Sequence, residues 1–281
     1  MKLIRSLSFF LMQAPSVCSF HSQRINPRFP QKLAMASALS SSTSSSETDS
    51  VPIQGPPLPS VPSTAKRLFL VRHGEVINPG GDRPVYYGAQ DVPLSPLGQQ
   101  EAAAAGVYLR QFPLAHVFCS PLKRAIYGAE RVVEQQQQQS SSSSDVIILD
   151  GFKELDRGDW CGKTKDEIGA DMMDRFDACD ESVTPANGES YPALKARVLH
   201  DLETALNTME NGSAAAIVSH LQVTRCMLSE ALGMPTNQMA GLKVATASVT
   251  CIDYENGKPS AVHFQSFKPD VGLAAAKDGA N

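Results

Sequence analysis

Short apolar runs alternate with longer stretches of helical periodicity from residue 66 onward. A short, unbroken apolar run is typical of a buried strand. Six such runs predict strands at 66–71, 115–119, 146–149, 214–219, 247–254 and 261–267. Strands that alternate with helices indicate an α/β three-layer sandwich, in which helices cover both faces of a mostly parallel central sheet.

The segments between these strands predict five helices, at 95–110, 121–134, 164–176, 189–209 and 221–232. Ser95 suits the N-cap of the first helix, and Pro96 suits its first helical position. The fourth helix carries one continuous apolar face. This face consists of Tyr191, Leu194, Val198, Leu202, Ala205 and Met209. We therefore expect the fourth helix to bury that side in the core.

Other segments lack the side chains that a core needs. Residues 135–144 contain only Gln and Ser, which predicts a low-complexity surface loop. Residues 40–64 are rich in Ser and Pro and predict a disordered linker. We therefore expect one folded domain at 65–269, preceded by a leader and linker at 1–64 and followed by a flexible tail at 270–281.

The first 46 residues hold twelve serines and five basic side chains but no acidic one. This composition is typical of an organellar transit peptide, for a plastid or a mitochondrion. A secretory signal ranks second, because Lys2 and Arg5 shorten its hydrophobic region. The further alternatives are an untargeted disordered tail and a cytoplasmic product that starts at Met35.

The charge balance excludes some classes of partner. The chain has 281 residues and a formal net charge of −4. Residues 1–64 hold 5 basic and 2 acidic side chains, which leaves 20 basic against 27 acidic in the remainder. A nucleic-acid-binding domain is expected to be basic, so no nucleic-acid partner is expected. No apolar stretch approaches the roughly 20 residues of a membrane span, so the protein is not expected to have a membrane as a partner.

The six cysteines are scattered, without a C-x-x-C pair, and we expect free, mostly buried thiols. They are Cys18, Cys119, Cys161, Cys179, Cys226 and Cys251. No group of Asp, His and Glu has the spacing of metal ligands. The sequence therefore predicts neither a metal site nor a cofactor.

Candidate chemistry begins at the end of the first predicted strand, where Arg72 and His73 stand side by side. Ligands of open α/β sheets bind at the carboxyl ends of the strands. An imidazole is a nucleophile at neutral pH, and a guanidinium binds phosphate through two hydrogen bonds. This pair at a strand end therefore suggests phosphoryl transfer.

Four further motifs follow strands or open helices, as the first one does. They are Ser120-Pro121-Leu122-Lys123-Arg124-Ala125, the segment Glu154–Trp160, Asn187-Gly188-Glu189-Ser190 and Val218-Ser219-His220. A helix N-terminus favours a bound anion through its free amide groups and its dipole. Two histidines at two strand ends, each before a helix, are therefore expected to meet around one phosphate.

This ordered set resembles the histidine phosphatase superfamily, in its phosphoglycerate mutase-like branch. The resemblance covers residues 66–267 and rests on R-H-G-E with a following Asn, S-x-L-x-R-A, E-x-x-x-G-D-W, G-E-S and a late S-H. It implies that His73 is the nucleophile that becomes phosphohistidine and that Glu154 is the proton donor. It implies that Arg72, Arg124 and His220 hold the phosphoryl oxygens.

The resemblance also implies that Asn78 and the backbone around Gly188 and Glu189 help line the pocket. Arg83 and Tyr86 either contact the substrate or belong only to a surface loop. Asp156 and Asp159 compete with Glu154 for the role of the acid, and Lys123 competes with Arg124 for the phosphate. The remaining histidines, His21, His116, His200 and His263, are expected to be structural.

Two further features bear on the site. The family commonly has Gly after the late His, whereas this chain has Leu221 and then Gln222. Leu221 is expected to crowd or reshape the pocket. Cys119 and Arg124 are one residue short of the spacing of cysteine phosphatases, which argues against a thiol nucleophile.

The resemblance implies a phosphatase that hydrolyses a small phosphomonoester. Phosphoglycerate mutase is the nearest alternative, although the 32 residues between Glu154 and Asn187 look too few for the glycolytic mutase's extra segment. A non-catalytic protein that binds a phosphorylated ligand is the second alternative, suggested by Leu221. The sequence assigns neither the phosphate ester nor an oligomeric state.

Overall fold

The computed structural model describes residues 55–138 and 145–270, in which the chain forms six strands and six α-helices. The strands are β1 (Ala65–Arg72), β2 (Leu114–Cys119), β3 (Val146–Ile148), β4 (Ala214–Ser219), β5 (Val249–Glu255) and β6 (Lys258–Phe267). The helices are α1 (Pro96–Leu109), α2 (Lys123–Gln137), α3 (Lys165–Ile168), α4 (Ala170–Asp177), α5 (Tyr191–Thr208) and α6 (Leu221–Ala231). Short 3₁₀ turns lie at Asp150–Phe152, Gly158–Trp160 and Thr236–Gly241.

The strands form one sheet in the order β3-β2-β4-β1-β5-β6. The first four strands of this order are parallel, and β5 and β6 add an antiparallel pair at one edge. The predicted α/β fold with a mostly parallel sheet is therefore confirmed.

Helices cover both faces of the sheet, and strand β1 shows how the two cores are divided. Leu68 and Leu70 contribute to the core beneath α4, α5 and α6. Phe69 and Val71 contribute to the core beneath α1 and α2. Successive side chains of a strand point to opposite faces, so a run that is apolar throughout supplies both cores.

The register of the parallel strands aligns their carboxyl ends. Arg72 lies opposite Ser219, and Cys119 lies opposite Val218. The residues that follow these strands continue the pairing, since the amide of His73 donates to the carbonyl of Ser219 at 2.9 Å. His73, the neighbouring Ser120 and His220 therefore leave the sheet side by side.

The predicted helix at 164–176 is two helices. Thr164 caps α3, with the side chain of Glu167 returning a hydrogen bond to the backbone of Thr164. Gly169 then adopts a φ of 108°, which is open to glycine and strained for other residues. The helical periodicity was correct, but this turn separates α3 from α4.

Helix α2 continues to Gln137, so the prediction that a loop begins at residue 135 was wrong. Gln136 is 6% exposed and satisfies two backbone groups. Its side-chain oxygen accepts from the amide of Leu114 at 3.1 Å, and its amide donates to the carbonyl of Leu109 at 3.0 Å. These hydrogen bonds extend the helix into the Gln and Ser segment, of which residues 139–144 lie outside the described part.

The predicted linker also ends earlier than residue 64. Leu58 and Val61 pack against the core beneath α1 and α2. The carbonyl of Pro59 accepts a hydrogen bond from Arg67 at 2.7 Å. This stretch belongs to the folded domain because it supplies apolar contacts and a buried acceptor.

The predicted transit peptide and all but residue 270 of the predicted tail lie outside the described residues, and both stay predictions. In the part of the chain that the structure describes, the helices are too short or too polar to cross a membrane.

Candidate active site

His73 follows β1 and is 3% exposed. Its Nδ1 lies 2.7 Å from the carbonyl oxygen of Gly74. A carbonyl can only accept, so Nδ1 carries the proton and Nε2 keeps its lone pair. Burial, together with the positive charges of Arg124 and Arg72, holds the pKa of His73 well below its usual range. The ring is therefore neutral at physiological pH, with an unprotonated Nε2.

His220 follows β4 and forms the N-cap of α6. Its ring centroid lies 5.1 Å from that of His73, with 59° between the ring planes. Burial and the nearby Arg124 hold the pKa of His220 well below its usual range. Its Nδ1 is buried without a hydrogen-bond partner among the described residues. The two imidazoles thus meet in one place, as the strand positions predicted.

Ser120 is a contact of His220 to which the sequence analysis gave no role. Its Oγ lies 2.7 Å from Nε2 of His220 and also accepts from the amide of Leu122 at 3.2 Å. Since Oγ already accepts one hydrogen bond, its proton can be donated to Nε2, and the ring proton of His220 then lies on Nδ1. That proton is available to an oxygen of a ligand. The position of Ser120 at a strand end was the signal that could have found it.

Arg72 and Arg124 are both buried beside the imidazoles. A terminal nitrogen of Arg72 donates to the carbonyl of Val244 at 2.6 Å. Arg124 donates to the carbonyls of Gln90 at 2.6 Å and Gly88 at 2.8 Å. Burial lowers the pKa of Arg124, which forms no ion pair among the described residues. Its Nε is buried without a hydrogen-bond partner in the part of the chain that the structure describes, so part of its hydrogen-bonding capacity remains for an anion.

Glu154 follows β3 and is buried beside the start of α6. Its carboxylate accepts from the amide of Leu155 at 2.8 Å and from the amide of Gln222 at 3.4 Å. The competing acids, Asp156 and Asp159, are exposed. Of these three carboxylates, Glu154 is the buried one, and its role as the proton donor stays a prediction.

Gln222 and Arg157 are residues of this region that the sequence analysis did not place in the site. Together with Tyr87, Gly88, Glu154 and Leu155 they line a small cavity. The side-chain oxygen of Gln222 and Nη1 of Arg157 are buried without partners in the described part of the chain. Leu221 is half-buried as the first residue of α6.

The side chain of Glu189 is paired within the protein, and the predicted role of the backbone around Gly188 and Glu189 in the pocket stays a prediction. Arg197 holds both of its carboxylate oxygens, at 2.6 and 2.7 Å. The same guanidinium donates to the carbonyls of Gly151, Lys153 and Glu154. Glu189 is therefore paired inside the protein, and it orients Arg197 on the segment that carries Glu154.

Gly188 is packed against backbone, since a Cβ there would lie 2.8 Å from the carbonyl oxygen of Asp156. The side chain of Asn78 organises the following loop. Its amide donates to the carbonyl of Val85 at 3.0 Å, and its oxygen accepts from the amide of Gly80 at 2.9 Å. A substrate contact of Asn78 stays a prediction.

Arg83 lies on the surface instead of in the cluster. Its side chain is 62% exposed and forms an ion pair with Glu167. Lys123 is also exposed, paired with Asp91. Tyr86 lies beneath the guanidinium of Arg157, 4.4 Å from it. The polar loop after Asn78 leaves Arg83 in solvent, and a substrate contact of Arg83 or Tyr86 stays a prediction.

A buried carboxylate on α1 connects three segments near His73. Glu101 accepts from the amide of Glu75, which lies just after His73 and Gly74, at 2.8 Å. It also accepts from Thr246 at 3.2 Å and from Lys268 at 2.5 Å. This carboxylate thus joins the loop after β1, the loop before β5 and the residue after β6.

The described residues contain no group of three or more His, Cys, Asp or Glu side chains placed to hold a metal ion. Independence from metals stays a prediction. The described cysteines are free. Burial raises the pKa of Cys119 to about 12, which argues further against a thiol nucleophile.

The fold and the clustered imidazoles together define an α/β protein of the histidine phosphatase class. The family model of the histidine phosphatase superfamily (branch 1) matches residues 68–266. The chain belongs to this family.

Known proteins agree with this membership. The "Probable phosphoglycerate mutase GpmB" of Erwinia tasmaniensis is 26% identical over 193 residues, which is 67% of this chain and 85% of the relative. The solved structure of Bacillus stearothermophilus YhfR is 27% identical with a TM-score of 0.64, covering 72% of this chain and 97% of that one. The mycobacterial glucosyl-3-phosphoglycerate phosphatase in complex with VO₃ is 25% identical with a TM-score of 0.58, covering 66% and 90%.

Proposed function

We propose that this protein is a phosphatase that hydrolyses a small phosphomonoester through phosphohistidine at His73. The observation that carries the proposal is the state of this ring. Its Nδ1–H is held by the carbonyl of Gly74, and its low pKa leaves Nε2 unprotonated beside two guanidiniums and a second imidazole. The family membership and the phosphatases among similar structures support the proposal.

In the first step, Nε2 of His73 attacks phosphorus while the bond to the ester oxygen breaks. Charge on the three equatorial oxygens has to be stabilised during this in-line transfer. Arg72 and Arg124 supply positive charge, and His220 supplies an Nδ1–H donor. These groups act in a buried site, where fixed charges and dipoles stabilise a transition state strongly.

The leaving alkoxide needs a proton, and protonated Glu154 donates it. In the second step Glu154, now a carboxylate, takes a proton from water while the water oxygen attacks phosphorus. The bond between phosphorus and His73 breaks, which releases inorganic phosphate and restores the neutral imidazole. Atoms and charge balance over the two steps without a cofactor.

The test uses purified protein with a generic aryl phosphate. We expect phosphate release that the His73→Ala substitution abolishes and that the matched His200→Ala substitution leaves unchanged, because His200 is exposed on α5. Rapid denaturation during turnover is expected to trap one phosphoryl group on His73, detectable by peptide mass. Phosphate release that persists in His73→Ala would refute the proposal.

Phosphoglycerate mutase activity is the second candidate, and the mutase among the relatives favours it. It is tested with 3-phosphoglycerate and catalytic 2,3-bisphosphoglycerate. Rapid isomerisation without release of phosphate would replace the phosphatase proposal. Binding of phosphate without either reaction would favour the non-catalytic alternative.

A further inference from the structure

A second cavity of about 270 Å³ has Glu154 in its lining, as does the small cavity that Glu154 shares with Gln222. It is lined by Ala89, Asp150, Lys153, Glu154, Asp156, Gly188, Glu189 and Arg197. Its volume is close to the lower end of the roughly 300–1,000 Å³ of small-molecule sites. Since Glu154 lines both cavities, the larger one borders the proposed proton donor directly.

We propose that this cavity takes the alcohol part of the substrate, and that this alcohol bears hydroxyl or ammonium groups and no second anionic group. The inference rests on the proposed function. A general acid must lie within hydrogen-bond reach of the leaving oxygen. The carbon skeleton attached to that oxygen therefore extends past Glu154, and the larger cavity is the space beside it.

Arg197 is the guanidinium in the lining, and its hydrogen-bonding capacity is fully used. A guanidinium has five N–H groups. Nε and one Nη2 hydrogen go to Glu189, both Nη1 hydrogens go to the carbonyls of Gly151 and Lys153, and the other Nη2 hydrogen goes to the carbonyl of Glu154. Arg197 therefore has no N–H group left for a carboxylate of a substrate.

The remaining charges in the lining favour a substrate group that donates hydrogen bonds over an anionic one. Glu189 is neutralised by Arg197, and Glu154 is neutral when it acts as the acid. Asp150 and Asp156 then face the cavity against the single ammonium group of Lys153. Both carboxylates are exposed acceptors, although one oxygen of Asp156 also accepts from the amide of Gly158. A hydroxylated or ammonium-bearing alcohol gains hydrogen bonds here, whereas a carboxylate is repelled.

The experiment compares three phosphomonoesters of similar size: phosphoethanolamine, glycerol 3-phosphate and 3-phosphoglycerate. They carry an ammonium group, hydroxyl groups and a carboxylate, respectively. We expect kcat/KM to be at least about tenfold lower for 3-phosphoglycerate than for the other two, because one unfavourable charge near the surface costs about 1.4 kcal/mol or more.

Variants locate the discrimination. The ratio of interest is kcat/KM for phosphoethanolamine or glycerol 3-phosphate divided by kcat/KM for 3-phosphoglycerate. The double change Asp150→Asn with Asp156→Asn is expected to lower this ratio, and Lys153→Met is expected to raise it. Asp171→Asn, an exposed change on α4 outside the lining, is the matched control and is expected to leave the ratio unchanged.

The results separate this inference from the proposed function. Hydrolysis of the aryl phosphate together with equal or faster hydrolysis of 3-phosphoglycerate overturns the inference alone, and so does failure to hydrolyse all three esters. If the parent protein prefers 3-phosphoglycerate and Lys153→Met loses that preference, Lys153 binds the carboxylate of the substrate and the inference is wrong. Failure to hydrolyse the aryl phosphate as well overturns both proposals.

Discussion

Arg67 and Arg124 are equally buried, at 2% and 1% exposure, yet their surroundings differ. Arg67, near the start of β1, donates to both oxygens of Asp253 at 2.7 and 2.8 Å. Arg124, beyond the end of β2, donates to carbonyl groups and forms no ion pair among the described residues. The hydrogen bond to Asp253 raises the pKa of Arg67, whereas burial lowers that of Arg124.

This difference distinguishes a cation that the protein itself neutralises from one that is left available to an anion. A buried charge is costly unless a partner neutralises it. Asp253 does this for Arg67 within the protein. Arg124 keeps its charge beside two imidazoles, where a phosphoryl group can neutralise it. A buried arginine is thus neutralised by a carboxylate at one end of the parallel sheet, and at the other end it is left without an ion pair among the described residues.

The largest expected effect is on catalysis at the carboxyl end. Arg124→Ala should lower kcat/KM for a phosphomonoester about 10³-fold, because charge on the phosphoryl oxygens loses its partner. The unfolding free energy should fall by about 2 kcal/mol, since the hydrogen bonds to two carbonyls and the contact with the Tyr87 ring are lost. Steady-state kinetics and urea unfolding measure the two quantities. A variant with normal kcat/KM would contradict the role given to Arg124.

For Arg67 we expect a large effect on stability and little effect on catalysis. Arg67→Ala leaves the carboxylate of Asp253 buried with only His263 as its side-chain partner, 2.8 Å away. We expect a loss of about 3–5 kcal/mol in urea unfolding, with kcat unchanged where the variant is folded. The paired change Arg67→Met with Asp253→Leu should recover most of that stability. Unchanged stability of Arg67→Ala would remove the contrast between the two arginines.

The buried histidines predict acid sensitivity of the folded state. The folded pKa of His73 and His220 is lowered, so the unfolded chain binds protons first as the pH falls below about 6.5. The contribution of the two histidines to the unfolding free energy is therefore complete above that pH. It declines as the pH falls below that value, until the pKa of the folded state is reached. Each ring contributes a slope of about 1.4 kcal/mol per pH unit in this window.

Urea unfolding at several pH values measures this slope. His73→Asn should make it shallower, while His200→Asn on the surface should leave it unchanged. Identical slopes for the parent and His73→Asn would show that the imidazole is not buried in its neutral form.

The smallest effect is expected at Ser120. Ser120→Ala removes the hydroxyl beside Nε2 of His220, so the ring is free to change its tautomer. We expect kcat to fall about tenfold with little change in KM, and Ser120→Thr to restore most of the loss. The pH profile of kcat should also change shape. Loss confined to KM would indicate that Ser120 affects only substrate binding.

The sequence was sufficient for the parts of the site that follow directly from strand ends. Apolar runs placed His73 and His220 after two strands, and parallel strands bring their carboxyl ends together. Arg124 could be placed in the same way, in the first turn of α2. These positions depend on local pattern and on one rule of sheet topology.

Partners distant in the chain could not be predicted. Glu189 was singled out, but the hydrogen bonds from its partner Arg197 to three carbonyls of residues 151–154 depend on how α5 lies beside that segment. Gln136 looked like part of a polar loop, and its burial follows from backbone groups on α1 and β2 that happen to need partners. The break at Gly169 needs a positive φ, which periodicity does not reveal.

The carboxylate of Glu101 has a practical consequence for the end of the chain. Lys268 contacts this carboxylate, which in turn accepts a hydrogen bond from the amide of Glu75, two residues after His73. Truncation before Lys268 would leave the acid buried with one cation fewer and loosen the turn beneath His73. Proteolysis before Lys268 would therefore change the position of His73, although the two residues are far apart in the sequence.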